Sequence, residues 1–218
     1  MTYPLSFAGQ DFEARPAGTL WWPARRTLIV ADLHLGKSAT MAARGGALLP
    51  PHEDADTLAR LEGELAALPV ARVLSLGDAF EDDRAPEALS PANRGRLGAM
   101  AQGRVWIWIT GNHDGGALPG LGETLSEIHE EGIALRHIAG KGPDISGHYH
   151  PKARLAGRSR PAFLWGQSHL ILPAFGTYTG GLDCEAPPLA DLVGPGLALL
   201  TGLRVMARPL TPGTRRRA

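Results

Sequence analysis

Side chains of the types that bind metal ions recur along this chain, and each follows an apolar run or lies on a glycine-bounded turn. They are Asp32, His34, Asp78, Asn112, His137, His148 and His150. Carboxylate, amide and imidazole ligands without a thiolate favour Mn²⁺, Fe or Zn²⁺ over Cu(I) or an iron–sulfur cluster. Two such ions sharing a carboxylate would lie about 3.5–4 Å apart, convert a bridging water into a hydroxide nucleophile and neutralise a phosphate. These residue types therefore predict metal-assisted hydrolysis of a phosphoester.

The segment Gly111-Asn112-His113-Asp114 is the motif around which the others are arranged. It follows residues 104–110, a run of β-branched and aromatic residues that predicts a buried strand. Open α/β sheets bind their ligands at the carboxyl ends of their strands. Taken alone, the motif could also be a polar turn. An imidazole beside the ions that is not itself a ligand could protonate the leaving oxygen.

Apolar runs and helical periodicities predict the elements that position these groups. Asp32 and His34 follow one predicted strand, and their spacing places both side chains on one face of an extended segment. His137 ends another predicted strand and is preferred as a ligand to His129, which falls on an acidic helical stretch. Residues 1–26 predict a hairpin with its second strand near 19–22. The other predicted strands are residues 27–31, 71–76, 132–137, 143–146, 161–165, 168–172, 196–200 and 203–207, and the predicted helices are 50–69, 85–102 and 123–130.

Composition and charge are those of a soluble globular protein. The 218 residues are 44% hydrophobic and 20% charged, and residues 1–210 are expected to form a single domain followed by a disordered basic tail, 211–218. The 22 basic and 22 acidic residues balance, which argues against non-specific coating of nucleic acid. The single cysteine, Cys184, excludes an internal disulfide. Without a leader or an apolar span, a cytoplasmic protein with no membrane contact is expected.

Charged residues near the motifs have two interpretations each. Lys37 and Arg44 could line the path of a phosphate, or they could lie on a solvated loop. Glu81 is followed by Asp82 and Asp83, and a solvated acidic turn is favoured there over metal ligation. The sequence therefore predicts these residues only as possible contacts of a substrate.

Taken in order, D-x-H, G-D, G-N-H-D and G-H-x-H resemble the signature of the calcineurin-like binuclear metallophosphoesterases, over nearly the whole chain. The resemblance implies an α/β fold, a four-layer α/β/β/α sandwich of two mixed sheets flanked by helices. It implies two divalent metal ions, with Mn²⁺ expected and Fe or Zn²⁺ as alternatives. His113 would be the general acid, oriented by Asp114. The implied ligands are Asp32, His34 and His150 for one ion, Asn112, His137 and His148 for the other, and Asp78 as the bridge between them.

A finer resemblance is to the bacterial clade of these enzymes found with an ATP-dependent DNA ligase and a helicase. It rests on residues 31–37, 46–50, 147–151, 172–176 and 178–181. The resemblance implies a Mn²⁺-dependent endonuclease of single-stranded DNA in repair, functionally linked to the ligase and helicase. This chain departs from the clade at Glu81, where the clade often has histidine, and at Ile138-Ala139, where the clade has Glu-Pro. If Glu81 weakens DNA cleavage by removing a cation, Glu81→His should raise nuclease activity.

Two other functions remain open. The same chemistry could act on a small nucleotide or another small phosphoester, which the balanced net charge favours, whereas a basic groove formed by Arg44, Arg94 and Arg96 would favour DNA. A non-catalytic scaffold with this fold is a more distant alternative. Loss of the catalytic histidine or of ligands would support the scaffold, but His113 and all the implied ligands are present.

Overall fold

Two β-sheets pack face to face in the computed structural model, which describes residues 1–46, 48–50, 52–113 and 120–210. The first sheet contains, in order across it, β1 (Tyr3–Phe7), β2 (Gln10–Ala14), β3 (Leu20–Trp22), β4 (Thr27–Val30), β5 (Arg72–Leu76), β6 (Val105–Ile109) and β7 (Glu123–Leu125). The second contains, in order across it, β15 (Met206–Leu210), β14 (Gly196–Leu200), β12 (Arg158–Trp165), β13 (His169–Ile171), β10 (Asp144–Ser146), β9 (Ile133–Arg136) and β8 (Glu127–Glu130), and β11 (Lys152–Leu155) pairs with β12. The helices are α1 (Lys37–Ala43), α2 (Glu53–Ala67), α3 (Ala85–Ala88), α4 (Pro91–Ala101) and α5 (Leu189–Val193).

The parallel half of the first sheet explains why distant motifs meet. Strands β4, β5, β6 and β7 run parallel and lie side by side in chain order. Helices α1 and α2 connect β4 to β5, and α3 and α4 connect β5 to β6. Because parallel strands end at the same edge of a sheet, residues 32–34, 77–78 and 110–113 emerge there together.

The second sheet brings its own polar motifs to the same region. Strands β9, β10 and β13 run parallel, and His137 and Gly147 follow β9 and β10 directly. The chain after β13 then crosses to the first sheet, where Phe175 donates a backbone hydrogen bond to Ala31 and Gly176 donates one to Asp32. The two sheets are therefore joined at the edge that carries the predicted ligands.

Alternating side chains fill the layers on either side of the first sheet. Along β4, Ile29 points into the core between the sheets, whereas Leu28 and Val30 pack with residues of α2 and α4. A third apolar cluster, which contains Leu189 of α5, covers the outer face of the second sheet. The predicted four-layer α/β/β/α sandwich is confirmed.

Three of the predicted elements differ from the structure. The predicted helix at 85–102 is two helices, α3 and α4, because Pro91 disfavours helical backbone at the preceding residue and the Ser90 side chain caps the second helix by accepting from the Asn93 amide. Residues 123–130 are strands β7 and β8 rather than a helix, since each pairs with the edge of a different sheet. The N-terminal hairpin is β1 with β2, followed by β3.

Some elements were not predicted, and one expectation lies outside the described residues. Helix α1, strand β11 and helix α5 carry little apolar periodicity, and the sequence did not predict them. The expected basic tail, residues 211–218, lies outside the described part of the chain. Among the described residues, no helix is long and apolar enough to cross a membrane.

Candidate metal centre

The predicted ligands converge at the shared edge of the two sheets in two neighbouring groups. Within each group, one ligand atom per residue lies within 4.8 Å of the others. The groups are Asp32, His34 and His150, and Asp78, His137 and His148. Residues that the sequence predicted as ligands are thus brought together in space, and their assignment to two ions remains a prediction from the resemblance.

The first group joins the loop after β4 to the turn after β10. The Asp32 carboxylate is fully buried and accepts a hydrogen bond from the backbone amide of His148 at 2.9 Å. Nε2 of His34 lies 3.2 Å from Nε2 of His150, and the latter nitrogen lies 3.5 Å from Oδ1 of Asp32. Two imidazole nitrogens and a carboxylate oxygen thus face one point.

The amide predicted from the Gly-Asn-His-Asp motif, that of Asn112, lies against the second group. Nε2 of His137 lies 2.9 Å from Oδ1 of Asn112, 3.2 Å from Nδ1 of His148 and 3.3 Å from Oδ2 of Asp78. The other His137 nitrogen, Nδ1, lies 3.0 Å from the Leu76 carbonyl. A proton on Nδ1 can be donated to that carbonyl, which leaves the Nε2 lone pair directed at the group. Nitrogen and oxygen lone pairs that converge in this way fit a divalent cation such as Mn²⁺, Fe²⁺ or Zn²⁺.

Backbone strain is concentrated at these residues. Asp32, His34, Asp78, His148 and His150 all have positive φ, between 46° and 71°. A non-glycine residue in this conformation costs about 1–3 kcal/mol, and such strain gathers at functional sites. The extended geometry predicted for Asp32 and His34 is therefore wrong. Their amides instead donate to the carbonyls of Gly77 and Asp78, which ties the end of β4 to the end of β5.

Charge coupling keeps the Asp78 carboxylate ionised. Burial opposes ionisation of Asp78, but its hydrogen bond with His137 and the nearby imidazole charges hold its pKa well below the usual range. Burial also opposes protonation of His137, yet Asp78 and Asp32 raise the pKa of that imidazole. Burial and the neighbouring His137 lower the pKa of His148. The site thus presents an anionic oxygen beside imidazoles, as a metal ligand set requires.

Close packing against Gly111 supplies a test of this geometry. A Cβ atom on Gly111 would lie 2.0 Å from Oδ1 of Asp78 and 2.3 Å from its backbone nitrogen, so Gly111→Ala must displace both the carboxylate and the backbone of Asp78. We expect the variant to fold but to bind fewer divalent ions than the wild type, measured by Mn²⁺ titration calorimetry. Gly95→Ala is the matched control, because a Cβ there meets nothing within 4 Å. Unchanged Mn²⁺ binding by Gly111→Ala would contradict the assigned position of Asp78.

His113 lies beside the two groups and belongs to neither. Its backbone amide donates to Oδ1 of Asp78 at 2.9 Å, and Nδ1 of its ring lies 3.2 Å from the Glu81 carbonyl. The ring meets that of His34 edge-on, with centroids 5.3 Å apart. Asp114, predicted to orient His113, lies outside the described residues. Within the described part of the chain, the Glu81 carbonyl faces the ring nitrogen instead.

The charged residues predicted as possible substrate contacts lie on one side of the site. Glu81 is only 7% exposed, and its carboxylate lies 2.8 Å from Nζ of Lys37, so the solvated-turn interpretation is wrong for Glu81. Arg44 has a side chain that is 61% exposed and pairs with Asp82. Lys37 begins helix α1 and Arg44 follows its last residue, so neither lies on the solvated loop that was one of the two interpretations. Sequence missed this arrangement because α1 lacks an apolar stripe.

Other residues considered from sequence lie in different surroundings. His129 is on strand β8 with a 66% exposed side chain and pairs with Glu127. Buried Cys184 accepts a hydrogen bond from Arg208. Arg96 forms a bidentate ion pair with Glu62. None of these residues belongs to either ligand group.

A buried ionic cluster supports the strand that ends at His137, and sequence reasoning did not identify it. Asp144 is fully buried, accepts hydrogen bonds from Arg136 and from the backbone of Gly140, and lies 2.8 Å from Nδ1 of His169. A carboxylate at the start of a predicted strand gives little indication of such burial. The cluster fixes the backbone on both sides of His137.

Comparison with solved structures shows a similarity over nearly the whole chain. The chain is similar to the nuclease MPE of Pseudomonas putida, with a TM-score of 0.75 and 30% sequence identity, over 96% of this chain and 100% of that one. No family model matches the chain, and no curated protein does.

Proposed function

The chain belongs to the metallophosphoesterase nucleases, and we propose that it is a Mn²⁺-dependent endonuclease that cuts single-stranded DNA in repair. The observation that carries this proposal is the pair of adjacent ligand groups, one centred on His34 and His150 and the other on His137 and His148. The proposed assignment of the ligands follows the family resemblance, with Asp78 as the bridge. Fe and Zn²⁺ suit the same ligands.

The chain's own residues would perform three tasks in this reaction. Two divalent cations would supply an activated water and neutralise the phosphodiester charge. The backbone amides of His148 and His113 donate hydrogen bonds to the carboxylates of Asp32 and Asp78, respectively, and so orient these carboxylates toward the proposed ions. His113 is proposed to protonate the leaving oxygen, because its ring lies beside the ligands without belonging to either group. The Glu81 carbonyl can accept the Nδ1 proton and so orient the ring.

A cavity beside helix α1 supports a substrate larger than a simple diester. Its volume is about 230 Å³. Alanines of α1 and α3 line it together with Arg44, Asp82 and Arg84. The two guanidinium groups in this lining suit a phosphate of the substrate backbone. Because Asp82 is adjacent to Glu81, the cavity lies next to the proposed metal site.

Replacement of Arg44 separates DNA from small substrates. For Arg44→Ala we expect weaker binding of single-stranded DNA and a slope of log affinity against log salt that is about 0.7 smaller, as for one lost phosphate contact. Hydrolysis of a chromogenic phosphodiester should be unchanged. Arg96→Ala is the control, since Arg96 is also paired with an acid, Glu62, but does not line the cavity that Arg44 lines. Equal losses on DNA and on the small diester would contradict the assigned contact.

Metal removal tests the chemistry itself. Chelation should abolish diester hydrolysis, and added Mn²⁺ should restore it. Because an ion binds the folded chain and not the unfolded one, Mn²⁺ at a hundredfold its Kd should stabilise the fold by about 2.7 kcal/mol per site. Thermal melting with and without Mn²⁺ measures this effect. Full activity in the chelated protein would contradict the proposal.

A second candidate substrate is a small nucleotide or another small phosphoester. The observations that favour it are the balanced charge of 22 basic and 22 acidic residues and the neutralisation of Arg44 and Arg96 by acidic partners. A non-catalytic scaffold is the least supported function. The functional link with an ATP-dependent DNA ligase and a helicase in the cytoplasm is part of our proposal and rests on the motifs shared with the clade.

A further inference from the structure

A buried carboxylate outside the two ligand groups contacts one of the proposed ligands. Oε2 of Glu81 lies 2.9 Å from Nδ1 of His34 and 2.8 Å from Nζ of Lys37. The other ring nitrogen of His34, Nε2, is the one that lies beside His150. His34 therefore has one nitrogen directed at its ligand group and the other at Glu81.

Glu81, His34 and His113 also satisfy the spacing of a metal site, but the carboxylate of this set already has a cationic partner in the chain. The Lys37 ammonium lies on the same carboxylate oxygen that faces His34. The carboxylate is thus an anion with a resident positive partner, and a third metal ion is not required to explain it.

We infer that Glu81 is a positioning residue that holds the His34 imidazole for the metal ion of the first group, with Lys37 holding Glu81 in turn. This inference rests on the proposed metal centre. The approach is an ion-pair contact and not a well-aligned hydrogen bond, because Nδ1 of His34 is a buried atom without a hydrogen-bond partner among the described residues. The negative charge 2.9 Å away still favours the tautomer that carries its proton on Nδ1. A carboxylate partner of this kind orients a ligating histidine and increases its basicity. Lys37 prevents the carboxylate from turning toward the metal site and becoming a ligand itself.

The contacts of Glu81 predict that its side chain affects only one ion. The His113 contact is made by the Glu81 backbone carbonyl, which survives any substitution of the side chain. The second group receives no contact from the Glu81 carboxylate among those the structure describes. The loss should therefore fall on the first ion and spare both the second ion and the orientation of His113.

This role reverses the expectation for Glu81→His. A neutral imidazole offers one acceptor nitrogen and no negative charge. It therefore cannot interact with Nδ1 of His34 and also neutralise the charge of Lys37. We expect Glu81→His to weaken the first metal site rather than to raise nuclease activity. The resemblance to the clade alone did not show that the Glu81 carboxylate contacts both His34 and Lys37.

Calorimetric titration of Mn²⁺ into the metal-free chain tests the inference. The wild type should bind two ions, and Glu81→Ala should bind one of them about 10–100-fold more weakly with the other unchanged. Glu81→Gln, which keeps an acceptor oxygen, should show a smaller loss. Glu62→Gln is the control, because Glu62 is also ion-paired, with Arg96 on the outer helices. Melting curves establish that each variant is folded.

Nitrogen-15 NMR of the histidine rings gives a readout independent of metal. The His34 signals are assigned as those that are missing from the spectrum of His34→Gln. In the wild type they should be those of the Nδ1-protonated tautomer, and Glu81→Ala should shift them toward a mixture of tautomers. Unchanged affinities and tautomer in a folded Glu81→Ala would overturn the inference while leaving the proposed function intact. Parallel weakening of both ions would also overturn it. Failure of the wild type to bind Mn²⁺ would overturn the proposed function as well.

Discussion

Asp78→Asn should lose metal binding and phosphodiester hydrolysis together. Asparagine keeps the shape of the side chain and can still accept a hydrogen bond from the His113 amide. It removes the negative charge, however, which the contact with His137 stabilises in the folded chain. Stabilisation of transition-state charge by bound cations is worth about 4 kcal/mol, or about a thousandfold in rate. We expect a loss of at least this size in kcat for a chromogenic diester.

The control for Asp78→Asn is Asp11→Asn, in the exposed β1–β2 hairpin. Mn²⁺ titration of both variants should show loss of binding only at Asp78. An Asp78→Asn variant that binds two ions and retains more than a tenth of the wild-type kcat would contradict the proposed bridge. Melting curves without metal should show a folded variant that is less stable than the wild type at neutral pH, because the depressed pKa of Asp78 means that the folded chain stabilises its charged form.

His113→Ala should separate catalysis from metal binding. The ring belongs to neither of the two ligand groups, so the variant should bind two Mn²⁺ ions as the wild type does. Loss of a general acid should lower kcat by about 10²–10⁴. The loss should be greater on DNA than on a nitrophenyl diester, because an alkoxide leaving group needs protonation more than a nitrophenolate does.

His129→Ala is the matched control for this variant, since His129 is an exposed histidine on strand β8. Equal losses on DNA and on the nitrophenyl diester would argue against proton donation by His113. Loss of a bound ion in His113→Ala would show instead that this imidazole is a ligand.

The convergence of the ligands was predictable because it follows from strand order. Apolar runs ending in Asp32, Asp78 and Asn112 indicated three strands, and right-handed parallel connections place the ends of such strands at one edge. His137 could be preferred to His129 on the same reasoning, because it ends strand β9. At these positions, the strand ends predicted from apolar runs agree with the strand ends of the folded chain.

The surroundings of Glu81 could not be predicted, because they depend on contacts between segments far apart in sequence. Lys37, which pairs with Glu81, is the first residue of helix α1, and that helix has no apolar stripe to indicate it. The helix predicted at residues 123–130 is wrong, because the pairing of these residues with β6 and β9 outweighs their local preference. Likewise, the left-handed backbone at His148 and His150 is imposed by the assembled site.

Incubation of a circular single-stranded DNA with the purified protein and Mn²⁺ is the most direct test of the central claim, that the chain is a metal-dependent nuclease. The wild type should linearise the circle, whereas the chelated protein and His113→Ala should leave it intact over the same time. Hydrolysis of a small diester without linearisation would contradict DNA as the substrate. Absence of hydrolysis on either substrate with Mn²⁺, Fe²⁺ or Zn²⁺ would contradict the enzymatic function as a whole.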